Sequence, residues 1–66
     1  MNITLNGEER ALDSAKTLAG LVESLGLNVR KVAVELNLEI VPRSAYGATN
    51  LTEGDRIEIV HFIGGG

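Results

Sequence analysis

The chain contains no cysteine. Disulfides, thiolate metal sites and thiol nucleophiles are therefore all excluded. Tryptophan is absent too, and Tyr46 and Phe62 are the only aromatic residues. Stability has to come from aliphatic packing. No apolar run approaches membrane-spanning length, and no positively charged, apolar leader opens the chain. Cationic residues are few: 6 Lys and Arg stand against 9 Asp and Glu, a net charge of −3. Nucleic-acid binding calls for a basic footprint, which is missing. A mildly acidic chain suits a basic protein surface instead. The expectation is a cytoplasmic protein with no membrane or nucleic-acid partner. No glycine-rich phosphate loop and no metal-ligand spacing occurs, so no cofactor or metal is expected on the chain itself.

What is present is enough for one small domain. The 66 residues are 44% apolar, and the period of the apolar pattern changes along them. Asn2-Ile3-Thr4-Leu5-Asn6 alternates, which predicts a half-buried strand with Ile3 and Leu5 inward. Gly7 is a turn residue, and Glu9-Arg10-Ala11-Leu12 can return as an antiparallel strand. Leu18, Leu21, Val22 and Leu25 then form one helical stripe. Thr17 is the expected N-cap, Gly26 the left-handed residue after the helix, and Leu27 can pack back on Val22. About two turns of helix cannot hold alone, so a sheet must cover them.

Alternation returns in Lys31-Val32-Ala33-Val34-Glu35-Leu36, with the valines and Leu36 inward. Asn37-Leu38 is a turn candidate, and Glu39-Ile40-Val41 a short strand closed by Pro42 at an edge. Residues 43–55 read as loop with room for one tight turn. Arg56 to Ile63 is the last strand, and three glycines follow. One helix crossing a mixed sheet of about five strands is an α+β architecture, most compactly a ubiquitin-like β-grasp with the first and last strands as central neighbours. The expected organisation is a β-grasp domain over 1–63 and a flexible glycine tail over 64–66.

The Gly64-Gly65-Gly66 run is the most informative feature. A frayed terminus is its plain reading. The functional reading starts from geometry: a tail without side chains is narrow and free in its backbone angles. Ile63 to Gly66 span at most roughly 13–14 Å when extended. That reach lets a terminal carboxylate enter a deep active site while the body stays outside. A free carboxylate is a poor electrophile, but adenylation by ATP would give it a good leaving group. A sulfur donor could then displace AMP and leave a thiocarboxylate. The chain offers no catalyst for this, since Ser14, Ser24 and Ser44 have no evident base and His61 reads as a surface residue. The enzymes must be partners, and the chain a carrier.

Here the sequence resembles the family of small sulfur carriers of thiamin thiazole biosynthesis. The marks are Val34-Glu35-Leu36-Asn37, Ile40-Val41-Pro42-Arg43, Glu53-Gly54-Asp55-Arg56-Ile57-Glu58-Ile59-Val60, and His61-Phe62-Ile63 before the glycines. The resemblance implies a ubiquitin-like β-grasp. It implies adenylation of Gly66 by an E1-like activating enzyme using ATP, sulfur from a donor system, and delivery to thiazole synthase. Gly64 and Gly65 would thread the tail into those active sites. The same fold serves carriers for molybdopterin and for tRNA thiolation, and ubiquitin-like protein modifiers, all of which begin with terminal adenylation. One departure is Leu38, where many members have glycine. In a two-residue type I′ turn it would take positive φ, which is costly, so a loop of another type is expected.

Parity in the last strand adds a second clue. With Ile57 and Ile59 inward, Arg56, Glu58, Val60 and Phe62 face outward. Ala33, outward on a neighbouring strand, leaves room beside them. Such a patch at the root of the tail would suit docking on a partner enzyme. Scattered exposed apolar residues are also normal, and a bulge would turn Phe62 inward. Glu35, Glu39 and Glu58 either solvate the surface or add a negative rim.

Overall fold

The computed structural model describes residues 1–13 and 16–62. Two antiparallel strands, β1 (Asn2–Leu5) and β2 (Glu8–Ala11), open the chain. Helix α1 (Leu18–Ser24) follows, then β3 (Val32–Leu36), β4 (Glu39–Val41) and β5 (Arg56–His61). The sheet order is β2-β1-β5-β3-β4. The central pair, β1 and β5, is parallel, with Thr4 opposite Arg56 and Leu5 opposite Ile57. The other pairs are antiparallel. First and last strands are thus neighbours at the centre, as expected.

The helix ends are those the sequence marks. Thr17 Oγ1 accepts from Gly20 N at 3.1 Å and caps an otherwise free donor. At the other end Gly26 takes φ +75, which a residue with a Cβ adopts only at a cost. Gly26 N donates to Glu23 O at 2.9 Å and Leu27 N to Val22 O at 3.2 Å, the paired bonds of a Schellman cap. Leu18, Leu21 and Val22 are buried on the sheet. Beneath them lie Ile3, Leu5, Val32, Val34 and Ile57. Each such side chain contributes roughly 1.5–3 kcal/mol when buried. The helix covers one face of the sheet only.

The segment expected as loop with room for one tight turn holds more order than its pattern shows. Arg43–Ala48 is a 3-10 helix that lies against α1 and buries Tyr46, and Leu51 is buried just beyond it. Leu18 N donates to Thr49 O and Leu51 N to Lys16 O, both at 2.9 Å, so the segment is tied to the start of α1. A single anchor in a short 3-10 turn leaves no periodic stripe to detect. A second 3-10 turn, Val29–Lys31, leads into β3.

The expectation of another loop type at Asn37-Leu38 is overturned. Leu36 pairs with Glu39, leaving a two-residue loop, and Asn37 and Leu38 have φ +52 and +73. Positive φ at both positions is what a type I′ turn requires. Tertiary bonds outweigh the strain. Asn37 N donates to Arg56 O at 2.7 Å, Asn37 Oδ1 accepts from Arg56 N at 2.9 Å, and Asn37 Nδ2 donates to Asp55 Oδ1 at 3.0 Å.

Asp55 is the one buried charged residue among those described, at 8% exposure. Burial pushes its pKa up, but bonds from Thr52 N, Asn37 Nδ2 and Thr52 Oγ1 outweigh this and hold the carboxyl below its ordinary value. The stabilisation is therefore complete above the unfolded pKa and is lost as pH falls through the lower folded value. Asp55→Asn should lower stability near neutral pH by about 1–3 kcal/mol. The deficit should shrink as pH falls from neutral into the acid range in which the native carboxyl protonates. Thermal melts of both proteins across that range check it.

Candidate functional site

β5 carries the chain from the core to the tail, and its two faces differ. Ile57 is fully buried and Ile59 half-buried on the helix side. On the other side Val60 is 61% exposed and Phe62 51% exposed. The alternation survives to Phe62, whose N–H donates to Lys31 O at 2.7 Å. No bulge turns the ring inward. Ala33 lies directly opposite Val60 across β3 and β5, and its small side chain leaves the valine open. Val60, Phe62 and Ala33 thus share the uncovered face of the sheet.

β5 is gripped from both sides by asparagines of the two hairpin loops. Asn37 holds Arg56, as described. Asn6, at φ +49 beside Gly7 at φ +82, holds Ile59: its Oδ1 accepts from Ile59 N at 2.7 Å, and its Nδ2 donates to Ile59 O at 3.3 Å. The Asn6 amide thereby stands in for a strand residue and extends the β1 ladder past Leu5. Sequence reading placed Asn6 only as the last residue of a strand. Its bond lies 53 positions away along the chain and leaves no local signal. β5 is thus held at Ile59, three residues before the outward apolar pair ends at Phe62.

Two of the acidic residues face each other. Glu35 lies directly opposite Glu58 in the β3–β5 register. Like charges in that position repel across the strands. Glu35 in turn lies opposite Ile40 on β4. Ile40 is 76% exposed and Leu38 is 77% exposed; alternation along β4 puts Ile40 on the open face with Glu35. His61 is exposed and lies opposite Val32. No three His, Asp or Glu side chains among the described residues are grouped to hold a metal ion. No described helix is long and apolar enough to cross a membrane. Gly64, Gly65 and Gly66, expected as the threading and attachment residues, lie outside the described residues, as does the domain boundary expected after residue 63.

At half exposure Phe62 is not a core residue. Phe62→Ala should therefore cost well below the roughly 3–5 kcal/mol typical of a buried phenylalanine. Denaturant titration measures this; a loss in the core range would mean that the ring packs inward.

One helix across a five-strand mixed sheet with a parallel central pair defines a ubiquitin-like β-grasp domain. The crystal structure of the thiamine biosynthesis protein ThiS of Geobacter metallireducens superposes with a TM-score of 0.83 at 38% identity, covering 100% of both chains. The model of the ThiS family matches residues 3–66. The chain belongs to the ThiS family. The sulfur carrier protein ThiS of Bacillus subtilis is 38% identical over 65 residues, which are 97% of this chain and 98% of that protein. A thiazole synthase of Paramagnetospirillum magneticum is 52% identical over all 66 residues. The chain spans only a fifth of that protein's length (20%).

Proposed function

We propose that this chain is the sulfur carrier of thiamin thiazole formation, a cytoplasmic protein on which partner enzymes act. The observation that supports it most is the family match, which runs through the final glycine rather than stopping at the globular body. The exposed Val60 and Phe62 at the root of the tail fit the same reading.

In this reading an adenylating enzyme of the E1-like class docks on the Val60, Phe62 and Ala33 patch and takes up the tail. Gly64 and Gly65 pass through the narrow entry because they carry no side chain. A carboxylate oxygen of Gly66 attacks the α-phosphorus of ATP, and pyrophosphate leaves. A sulfide-level sulfur nucleophile from a donor system then adds to the carbonyl carbon of the mixed anhydride, and the C–O bond to AMP breaks. Gly66 is left as a thiocarboxylate. Thiazole synthase receives the sulfur, and hydrolysis returns the original carboxylate. Beyond the Gly66 carboxylate itself, the chain supplies no acid, base or nucleophile to these steps. Its part is to present an activated terminus on a stable body.

The test is growth. In a strain that lacks its own thiazole sulfur carrier and has the remaining enzymes, this chain should restore growth without added thiazole. Failure to do so, with the chain accumulating instead on lysines of other proteins, would make it a protein modifier. Phe62→Ala should weaken binding of the activating enzyme by roughly 1–3 kcal/mol, the range of an aromatic interface anchor. Calorimetric titration reads it, and unchanged affinity would remove Phe62 from the interface.

A further inference from the structure

Asn6 is the only asparagine of this chain followed by glycine. The others, Asn2, Asn28, Asn37 and Asn50, precede Ile3, Val29, Leu38 and Leu51. That neighbour decides whether an asparagine can close a ring on its own backbone. The nitrogen of the following residue must reach the side-chain amide carbon, and a bulky side chain on that residue crowds the approach. Gly7 has no Cβ. Apart from its chain neighbours, no atom of the described residues stands within 4 Å of where one would be. Asn6 is exposed, so water has access to the same place.

The fold holds this pair in check. Ile59 N donates to Asn6 Oδ1 at 2.7 Å, and Asn6 Nδ2 donates to Ile59 O at 3.3 Å. Asn6 N donates to Ile57 O at 2.8 Å. Backbone and side chain are thus both tied to β5. Turning the amide carbon onto Gly7 N breaks both side-chain bonds. Those bonds span 53 positions of sequence, so they exist only while β1 and β5 are together. Asn37 is a matched case with one difference: its amide also holds on at both ends, to Arg56 N and Asp55 Oδ1, but leucine follows it.

We propose that Asn6 is a covalent modification site, a deamidation site closed while its amide grips β5 and open when β5 lets go. The Gly7 nitrogen, its proton taken by hydroxide, attacks Asn6 Cγ. A C–N bond forms, the Cγ–Nδ2 bond breaks, and ammonia leaves with a proton from water. The five-membered imide then takes up water at one of its two carbonyls. Addition at Cγ leaves aspartate. Addition at the main-chain carbonyl leaves isoaspartate, with the backbone rerouted through the former side chain. Aspartate keeps an oxygen for Ile59 N and loses only the donor to Ile59 O. Isoaspartate lengthens the main chain by one carbon and displaces the carboxylate, so Ile59 N loses its acceptor. Ile59 adjoins Val60, and the strand is loosened where the exposed apolar pair begins. The proposal concerns this chain alone and holds whichever partner takes the tail.

The test ages the intact chain in mildly alkaline buffer, folded in one arm and in concentrated guanidinium chloride in the other. Peptide mapping reads the mass gained when NH2 is exchanged for OH, and an isoaspartyl methyltransferase marks the rerouted product. The unfolded chain should convert at Asn6, with isoaspartate among the products, while Asn37 stays intact. The folded chain should convert at least about tenfold more slowly, because each event needs a local opening. Gly7→Ala should slow the reaction in the unfolded arm, where its Cβ crowds the attack and the fold plays no part. In refolded chain, isoaspartate should speed hydrogen exchange at Ile59 N–H, and Asn6→Asp should leave that amide protected. Equal rates in the two arms overturn the proposal, since the grip would then protect nothing. So does an unfolded chain in which Asn6 reacts no faster than Asn37.

Discussion

Deleting Gly66 should abolish sulfur transfer and leave the fold unchanged. The two effects separate because the reactive group and the core share no atoms. The buried cluster draws on Ile3, Leu5, the three helix residues, Val32, Val34, Tyr46, Leu51 and Ile57, and its last member stands nine positions before the terminus. Stability should therefore move by no more than about 0.5 kcal/mol, the usual scale of a change outside the packed body. Transfer should fall below detection, since the carboxylate then ends one residue, roughly 3.3–3.6 Å, short of where the partner catalyses. A misplacement of even about 1 Å can reduce a rate a hundredfold. Full transfer by the truncated chain would place the sulfur elsewhere.

The second large effect is at the opposite end of β5. Ile57→Ala should cost about 2–5 kcal/mol. Ile57 is fully buried and in the central strand, opposite Leu5 on one side and Leu36 on the other. A domain of this size has a total stability of only roughly 3–10 kcal/mol. The variant should populate unfolded chain measurably at room temperature. Phe62→Ala, five residues further along the chain, should not. Far-ultraviolet circular dichroism against urea distinguishes the two, and an equally mild Ile57→Ala would contradict the placement of the core.

Much of this arrangement is written locally. Alternation from Asn2 and from Arg56 gives two strands, and the stripe from Leu18 to Leu25, bounded by Thr17 and Gly26, gives the helix with both its caps. Parity along β5 is enough to put Val60 and Phe62 on the open face. The rest depends on partners distant in sequence. The 3-10 helix around Tyr46 is ordered by α1, not by its own pattern. Asn6 and Asn37 gain their roles only when β5 arrives between them. The Asn37-Leu38 turn is the clearest case: local conformational preference argues against it, and bonds to Asp55 and Arg56 impose it. The first turn, Asn6-Gly7, needs no such help. The register that sets Glu35 against Glu58, and Ile40 beside them, is likewise a property of the assembled sheet. The terminus proposed to carry sulfur is the reverse case: its glycines are legible in the sequence alone.

The central claim is that Gly66 carries the sulfur. The most direct measurement is the intact mass of the chain after incubation with its activating enzyme, ATP and a sulfur donor. One oxygen should be replaced by one sulfur, and fragmentation should place the exchange at Gly66. Without cysteine no persulfide can compete for the assignment. Omitting ATP should leave the mass unchanged, because the free carboxylate has no leaving group. Adding thiazole synthase and its substrates should return the original mass. A chain that is adenylated yet never gains sulfur, and appears only as isopeptide adducts on lysines, would contradict the account.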